Sequence, residues 1–342
     1  MRTHGGNIYL SSQMIDFSAN INPLGMPDAV RKAVMESAQN CVHYPDPCCT
    51  DLTRALAEFE QFPTEQIVCG NGAADLIYRI AHAFHPRHAL LLAPSFSEYA
   101  FAMREVGCSV AEYTLNPEQD YQLDDGVLSA ITAETDIVFL CTPNNPTGQR
   151  IPPDLLKKVA EKCRESGAFL VSDECFLRFS ENAARYSLRL FLHEHGIILN
   201  AFTKLYAMPG LRLGYALCGS DAVAGKLRET GQYWSVSVPA QAAGIAALQV
   251  SDWIPRTVQY VTAECAFLSG ELRKSGVFVY DSVANFLLIQ ASSDFAERMK
   301  QRGILIRKCE DFHGLTDAHF RIAVRTHDEN LALISAIREE YK

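Results

Sequence analysis

From residue 66 onwards, short continuous apolar runs alternate with longer stretches in which hydrophobic side chains return every third or fourth position. The first pattern suits strands buried on both faces, and the second suits amphipathic helices. The apolar runs place strands near 66–69, 89–93, 109–113, 136–141, 168–172, 197–201 and 213–218. Between them, Ser97 to Val106 closes at Gly107. Asp154 to Ser166 carries Leu155, Leu156, Val159, Ala160 and Cys163 on one face and closes at Gly167, a residue suited to the left-handed turn after a helix. Strands alternating with helices predict an α/β fold, a mostly parallel seven-stranded sheet flanked by helices.

The two ends of the chain read differently. Residues 1–25 hold two polar, glycine-bearing knots, His4-Gly5-Gly6-Asn7 and Asp16 to Gly25, with too little periodicity for a helix, so an ordered arm is expected. Pro27 opens a helix to about Gln39, Tyr44-Pro45-Asp46-Pro47 forms a turn because a residue before proline avoids the helical region, and a second helix covers about 50–61. Past the strands, a long helical stretch over 238–275 leads to a strand at 284–290, a helix at 294–302, strands near 304–308 and 319–324, and a last helix at 328–341. This is the pattern of a smaller α+β domain. The expected organisation is residues 1–40 as the arm and part of the small domain, 41–233 as the large domain and 234–342 as the small C-terminal domain.

A length of 342 residues exceeds one ordinary core, which agrees with two units sharing a cleft. The formal net charge of −9 argues against nucleic acid or an anionic membrane as the main partner, while leaving room for small anions bound locally. Eleven cysteines are scattered and odd in number, Cys48 and Cys49 are adjacent, and no CxxC or HExxH occurs. That usage predicts a reducing compartment, the cytoplasm, and no metal site. The N-terminus lacks a signal-like apolar core, and no run reaches the ~18 apolar residues of a membrane span.

Candidate chemistry falls in the loops that follow the strands. In Asn200 to Tyr215, Lys204 follows an apolar run and Arg212 precedes another. A desolvated lysine loses its charge easily and can form a Schiff base with a carbonyl cofactor, while a guanidinium can clamp a phosphate. Gly70-Asn71-Gly72-Ala73-Ala74-Asp75 joins a strand to a helix N-terminus, whose free amides attract anions; Asp75 in place of a third glycine favours a monophosphate over a dinucleotide. Asp173 ends an interior strand, where a carboxylate can hold a ring nitrogen protonated. Thr142-Pro143-Asn144-Asn145-Pro146 is a proline-stiffened loop bearing two amides, which can donate to a phenolate without adding charge. Each piece alone also has a plain structural reading: a surface lysine, a tight turn, a helix cap.

Taken in this order, the pieces resemble the pyridoxal-phosphate-dependent aminotransferase family of fold type I, over essentially the whole length. Within it the chain is most similar to the threonine-phosphate decarboxylases of cobalamin biosynthesis, through His4 to Asn7, Asp16 to Gly25, Trp234-Ser235-Val236 and Ile304 to Cys309; next come the histidinol-phosphate aminotransferases. The resemblance implies pyridoxal 5'-phosphate as cofactor, Lys204 as its Schiff-base lysine, Asp173 on the ring nitrogen and Asn145 on the phenolic oxygen. It assigns the cofactor phosphate to Gly72, Ala73, Ala74 and Arg212, ring stacking to Phe96, and a contact with the neighbouring subunit's cofactor to Tyr44, hence a homodimer. Arg321 matches the carboxylate-binding arginine, and His4, Gly5, Asn20, Asn145 and Arg307 match substrate contacts.

Two positions depart from the wider pattern. Ala201 stands where many relatives carry a phosphate-binding hydroxyl, and Phe176 where many aminotransferases carry a tyrosine on the phenolic oxygen. The implied reaction is decarboxylation of L-threonine O-3-phosphate to (R)-1-aminopropan-2-yl phosphate. The alternatives are histidinol-phosphate-type amino transfer and, further off, serine-phosphate decarboxylation or a non-catalytic binding domain.

Overall fold

The computed structural model describes residues 5–9 and 14–340. Its first strand, β1 (Ile15–Asp16), lies in the arm; then come β2 (Ile67–Gly70), β3 (His88–Ala93), β4 (Ser109–Thr114), β5 (Ile137–Cys141), β6 (Phe169–Asp173), β7 (Gly196–Ala201) and β8 (Gly214–Cys218). Strands β2 to β8 form one seven-stranded sheet in the order β2-β8-β7-β6-β5-β3-β4. All neighbours run parallel except β8, which is antiparallel to both β2 and β7. The sheet is therefore the mostly parallel α/β sheet expected from the apolar runs.

Continuous hydrophobicity in the central strands follows from burial on both faces. Along β5, Val138 and Leu140 join one core cluster with Leu90 and Leu170, whereas Ile137 and Phe139 join another with Leu91 and Val171. Successive side chains point to opposite faces, so a strand between two helical layers has no position left for a polar residue until its end. At that end the register aligns Cys141 with Asp173 across β5 and β6, and Gly214 with both Gly70 and Ala201. The candidate loops thus share one edge.

Beyond the large sheet come β9 (Phe278–Val279), β10 (Phe286–Gln290), β11 (Ile304–Leu305), β12 (Arg307–Lys308) and β13 (His319–Ala323). A four-stranded antiparallel sheet, β12-β13-β10-β9, packs over Phe17, Leu268, Leu287, Phe320 and Leu333. The arm belongs to this core: β1 pairs in parallel with β11, the Phe17 amide donates to Leu305 at 2.9 Å, and its carbonyl accepts from Ala323 at 2.9 Å.

Two expectations need correction, and two strands are additions to them. The stretch 238–275 is two helices, Val238–Leu248 and Trp253–Lys274, because Pro255 has no amide proton to donate and must sit in a first turn. The buried Trp253 indole fixes the restart by donating to the Leu205 carbonyl at 2.8 Å. The single strand expected near 304–308 is β11 and β12, which pair with different partners on either side of Ile306. Strands β1 and β9, two residues each, were not foreseen; their hydrogen bonds come from partners distant in sequence, which local patterning does not report.

Phe17 is fully buried in the core of the four-stranded sheet. Replacing Phe17 with alanine is expected to destabilise the protein by about 3–5 kcal/mol, read as a lower urea midpoint. An unchanged midpoint would show that the arm contributes nothing to that core.

Candidate active site

The carboxyl edge of the large sheet and the β12–β13 hairpin enclose a cavity of about 550 Å3. Its walls bring together Gly5, Asn20, Ala73, Ala74, Phe96 and Asn145 with Asp173, Lys204, Arg212, Arg307 and Arg321. Gly72 lies directly behind: its φ is +84°, and a β-carbon there would stand 2.7 Å from Nη2 of Arg212. Only a residue without a side chain lets the guanidinium cross this loop. Gly72 also begins the helix Ala73–Phe84 without a capping side chain, so the first amides of that helix have no side-chain acceptor. Asp75 accepts from the Asn71 amide at 2.9 Å and pairs with Arg79 at 2.9 Å, which makes it the brace of the turn.

Two further constraints set this corner. A β-carbon on Gly214 would meet the Ala73 nitrogen at 2.5 Å, so the start of β8 must be glycine for the loop to lie against it. Arg212 itself takes a left-handed conformation, φ 58°, between the turn at Pro209–Leu211 and β8. Such a backbone is disfavoured for a side chain with a β-carbon, and here it belongs to a residue lining the cavity.

Asp173 is buried at the end of β6. Its oxygens accept from the Tyr99 hydroxyl at 2.7 Å and from the Cys175 amide at 3.0 Å. Both donors are neutral, and among the described residues no cation pairs with this carboxylate. Lys204 follows β7 in the short helix Phe202–Leu205. Burial, reinforced by the charges of Arg321 and Arg212, pushes its ammonium pKa down to about 8.

Arg321, on β13, is buried and donates to the Asn145 side-chain oxygen and, at 3.0 Å, to the Ser18 carbonyl. Its Nε has no partner, and no carboxylate pairs with it among the described residues. Burial lowers its pKa to about 10, with the Arg307 charge adding to the effect. By accepting through its oxygen, Asn145 turns its amide nitrogen away from Arg321. Arg307 differs: its Nη2 donates to both oxygens of Asp311, at 2.9 and 2.7 Å, and its guanidinium lies over Phe312.

The structure does not bring Tyr44 to this cavity; it is 77% exposed and stacks on Trp234 with centroids 4.3 Å apart. His4 lies outside the described residues. Gly5 does reach the cavity wall, packed so closely on Ser18 that a β-carbon would stand 2.0 Å from its carbonyl oxygen, and the Gly6 amide donates to the Ser18 hydroxyl at 2.8 Å. Phe176 and Ala201 both line the cavity, so the two departures noted in the sequence fall within it. Sequence reasoning missed Ser18, which acts through its carbonyl and so leaves no side-chain signal, as well as Tyr99 and Phe312. Gly214 was readable as a glycine opening a strand beside the arginine.

With this geometry in place, the comparisons with known proteins are decisive for family. The model of the aminotransferase class I and II family matches residues 12–337. The chain belongs to this family. It is 36% identical to threonine-phosphate decarboxylase of Salmonella typhimurium, over 98% of this chain and 95% of that one. Among solved structures it is similar to histidinol-phosphate aminotransferase of Clostridium acetobutylicum, with a TM-score of 0.88 and 26% identity over 95% of this chain and 98% of that one. The fold is shared with histidinol-phosphate aminotransferase of Sinorhizobium meliloti, solved in complex with pyridoxal-5'-phosphate, with a TM-score of 0.85 and 23% identity over 94% of this chain and 89% of that one.

The position of Lys204 generates a pH test. Its neutral amine is the nucleophile, so labelling of cofactor-free protein by trinitrobenzenesulfonate at Lys204 should rise with pH with a midpoint at about 8. Replacing Arg321 with leucine removes a neighbouring positive charge and should move that midpoint upward. A midpoint that stays in place would show that the arginine does not depress the lysine.

Proposed function

We propose that this chain is a pyridoxal 5'-phosphate enzyme acting on a small amino compound that carries a phosphate. The observation that carries the reading is the meeting of Lys204, Asp173, Asn145, Arg212 and Arg321 on one cavity. The residues fit the cofactor: a cradle at Gly72 that a β-carbon would fill, uncapped helix amides beside it, and a buried carboxylate held only by neutral donors. When bound, the cofactor supplies an electron sink for the bond broken at the substrate's α-carbon.

The chain's own residues then divide the work. Ala73 and Ala74, through backbone amides, and Arg212 would hold the phosphate group; the Gly72 amide is already given to the Gly70 carbonyl at 2.8 Å, so Gly72 would serve by letting Arg212 approach. Asp173 would keep a proton on the ring nitrogen, the Asn145 amide N–H would donate to the phenolic oxygen, and Phe96 would pack against the ring. Lys204, with a pKa of about 8, can take up and release a proton at Nζ near neutrality. Arg321 binds the substrate carboxylate, and Arg307, Gly5 and Asn20, whose buried Oδ1 has no partner, complete the substrate site together with His4. Residues 41–233 form the unit that holds the cofactor, and residues 1–40 with 234–342 close on it.

Which bond at the substrate's α-carbon would break depends on how the substrate's anionic groups are held, so the contacts of Arg321 and Arg307 would decide the reaction. Amino transfer of the histidinol-phosphate kind has the wider support, from the family model and from the solved structures. Decarboxylation of L-threonine O-3-phosphate, the expectation from sequence, is supported by the Salmonella relative at 36% identity over nearly all of both chains. A homodimer would account for Tyr44 and Trp234, an aromatic stack that stays exposed among the described residues.

Borohydride treatment of the cofactor-loaded protein should leave a phosphopyridoxyl mass on Lys204; saturated protein without that mass would end the cofactor reading. Carbon dioxide release from threonine phosphate, set against amino transfer from glutamate to imidazole-acetol phosphate, separates the two reactions. Deleting residues 1–8 should leave cofactor absorbance intact while raising KM or lowering kcat at least about tenfold, about 1.4 kcal/mol. Normal turnover by the truncated protein would show that the arm plays no part in the substrate site.

A further inference from the structure

Asp173 and Phe96 come from different parts of the edge, one ending β6 and the other following β3, yet a single residue touches both. Tyr99, in the helix Glu98–Glu105, is 1% exposed. Its hydroxyl donates to Oδ2 of Asp173 at 2.7 Å. Its ring stacks on Phe139 of β5, with centroids 5.2 Å apart and planes at 21°, and meets Phe96 edge to face at 5.5 Å and 82°. Phe139 is itself fully buried within the sheet's core, so Tyr99 stands on a fixed base.

We propose that Tyr99 is the positioning residue of the ring site: its hydroxyl fixes the Asp173 carboxylate for a protonated ring nitrogen, and its ring sets the angle of Phe96. The proposal rests on the pyridoxal-phosphate reading above. A carboxylate at the end of a strand can turn about its χ2 torsion, which is broad and roughly two-fold. Two donors on different oxygens remove that freedom: the Cys175 amide holds Oδ1 at 3.0 Å and the Tyr99 hydroxyl holds Oδ2. The phenol stays a donor throughout, since burial and the adjacent Asp173 charge hold its pKa well above the ordinary tyrosine value. Being neutral, it orients the carboxylate without cancelling its charge, which is left for the ring N–H. An arginine or lysine in its place would neutralise Asp173.

The test separates the hydroxyl from the ring. Pyridoxal phosphate and its 1-deaza analogue, in which a C–H replaces the ring nitrogen, are titrated by fluorescence into cofactor-free wild-type protein, Tyr99→Phe, Tyr99→Leu and Asp173→Asn, with folding followed by circular dichroism. Tyr99→Phe should raise Kd for pyridoxal phosphate at least about tenfold, as for loss of a hydrogen bond to a charged group, and leave the analogue's Kd unchanged. Combined with Asp173→Asn, the same substitution should have no further effect on the preference for the natural cofactor. Tyr99→Leu should weaken both ligands, because Phe96 loses its support. If Tyr99→Phe weakens both ligands equally, or neither, the positioning role is overturned. If wild-type protein binds neither ligand, the cofactor reading itself fails, and the proposal with it.

Discussion

An arginine buried with no carboxylate partner among the described residues is the constraint around which this cavity is built. Arg321 is held by an amide oxygen and a backbone carbonyl, both neutral, and its charge depresses the lysine across the cavity. Burying an unmatched cation is unfavourable, and the cost shows in the Arg321 pKa, lowered by burial to about 10. The uncompensated positive field is then available to an anion. Arg307, already forked onto Asp311, brings less of it. The two arginines are thus unequal, a distinction that residue identity alone does not contain.

The large sheet supplies the opposite charge. Asp173 stands at the end of a strand whose preceding residues are all apolar or neutral, so its carboxylate is the first charge the chain can place as β6 leaves the core. Arg307 and Arg321 from the small sheet face Asp173, Lys204 and Arg212 from the large one across a common space. The geometry is kept rigid by close backbone approaches at Gly72 and Gly214, where a single added carbon would collide with Arg212 or with the Ala73 amide.

Much of this was legible in the sequence, because strand ends are legible. Continuous apolar runs locate β2 to β8, and the polar residues that close or follow such runs lie at the sheet edge, as Asp173 and Lys204 do; the choice of Asn145 over Asn144 rests on the family resemblance. What stayed hidden has a common cause. Ser18 acts through its carbonyl, Tyr99 sits among apolar neighbours on a helix, and β1 and β9 owe their existence to hydrogen bonds from remote segments. The break before Trp253 was readable from Pro255, whose ring belongs in a first helical turn. Tyr44 shows the limit from the other side, since its expected role requires a second chain.

The pairing of Ile15 with Ile304 and of Asp16 with Leu305 has a bearing on how the molecule is made. Contacts between residues so far apart in sequence carry a large loop-closure entropy and form late. During synthesis, a chain released only as far as β8 already contains every strand of the large sheet, together with Asp173, Lys204 and Arg212. The arm must wait for β11 and β13 before Phe17 has a core to enter. Ser18 therefore delivers its carbonyl to Arg321 only once β13 has emerged. A nascent protein can own the Lys204 side of the cavity before it owns Arg321, and closure of the N-terminal strand marks its coming of age.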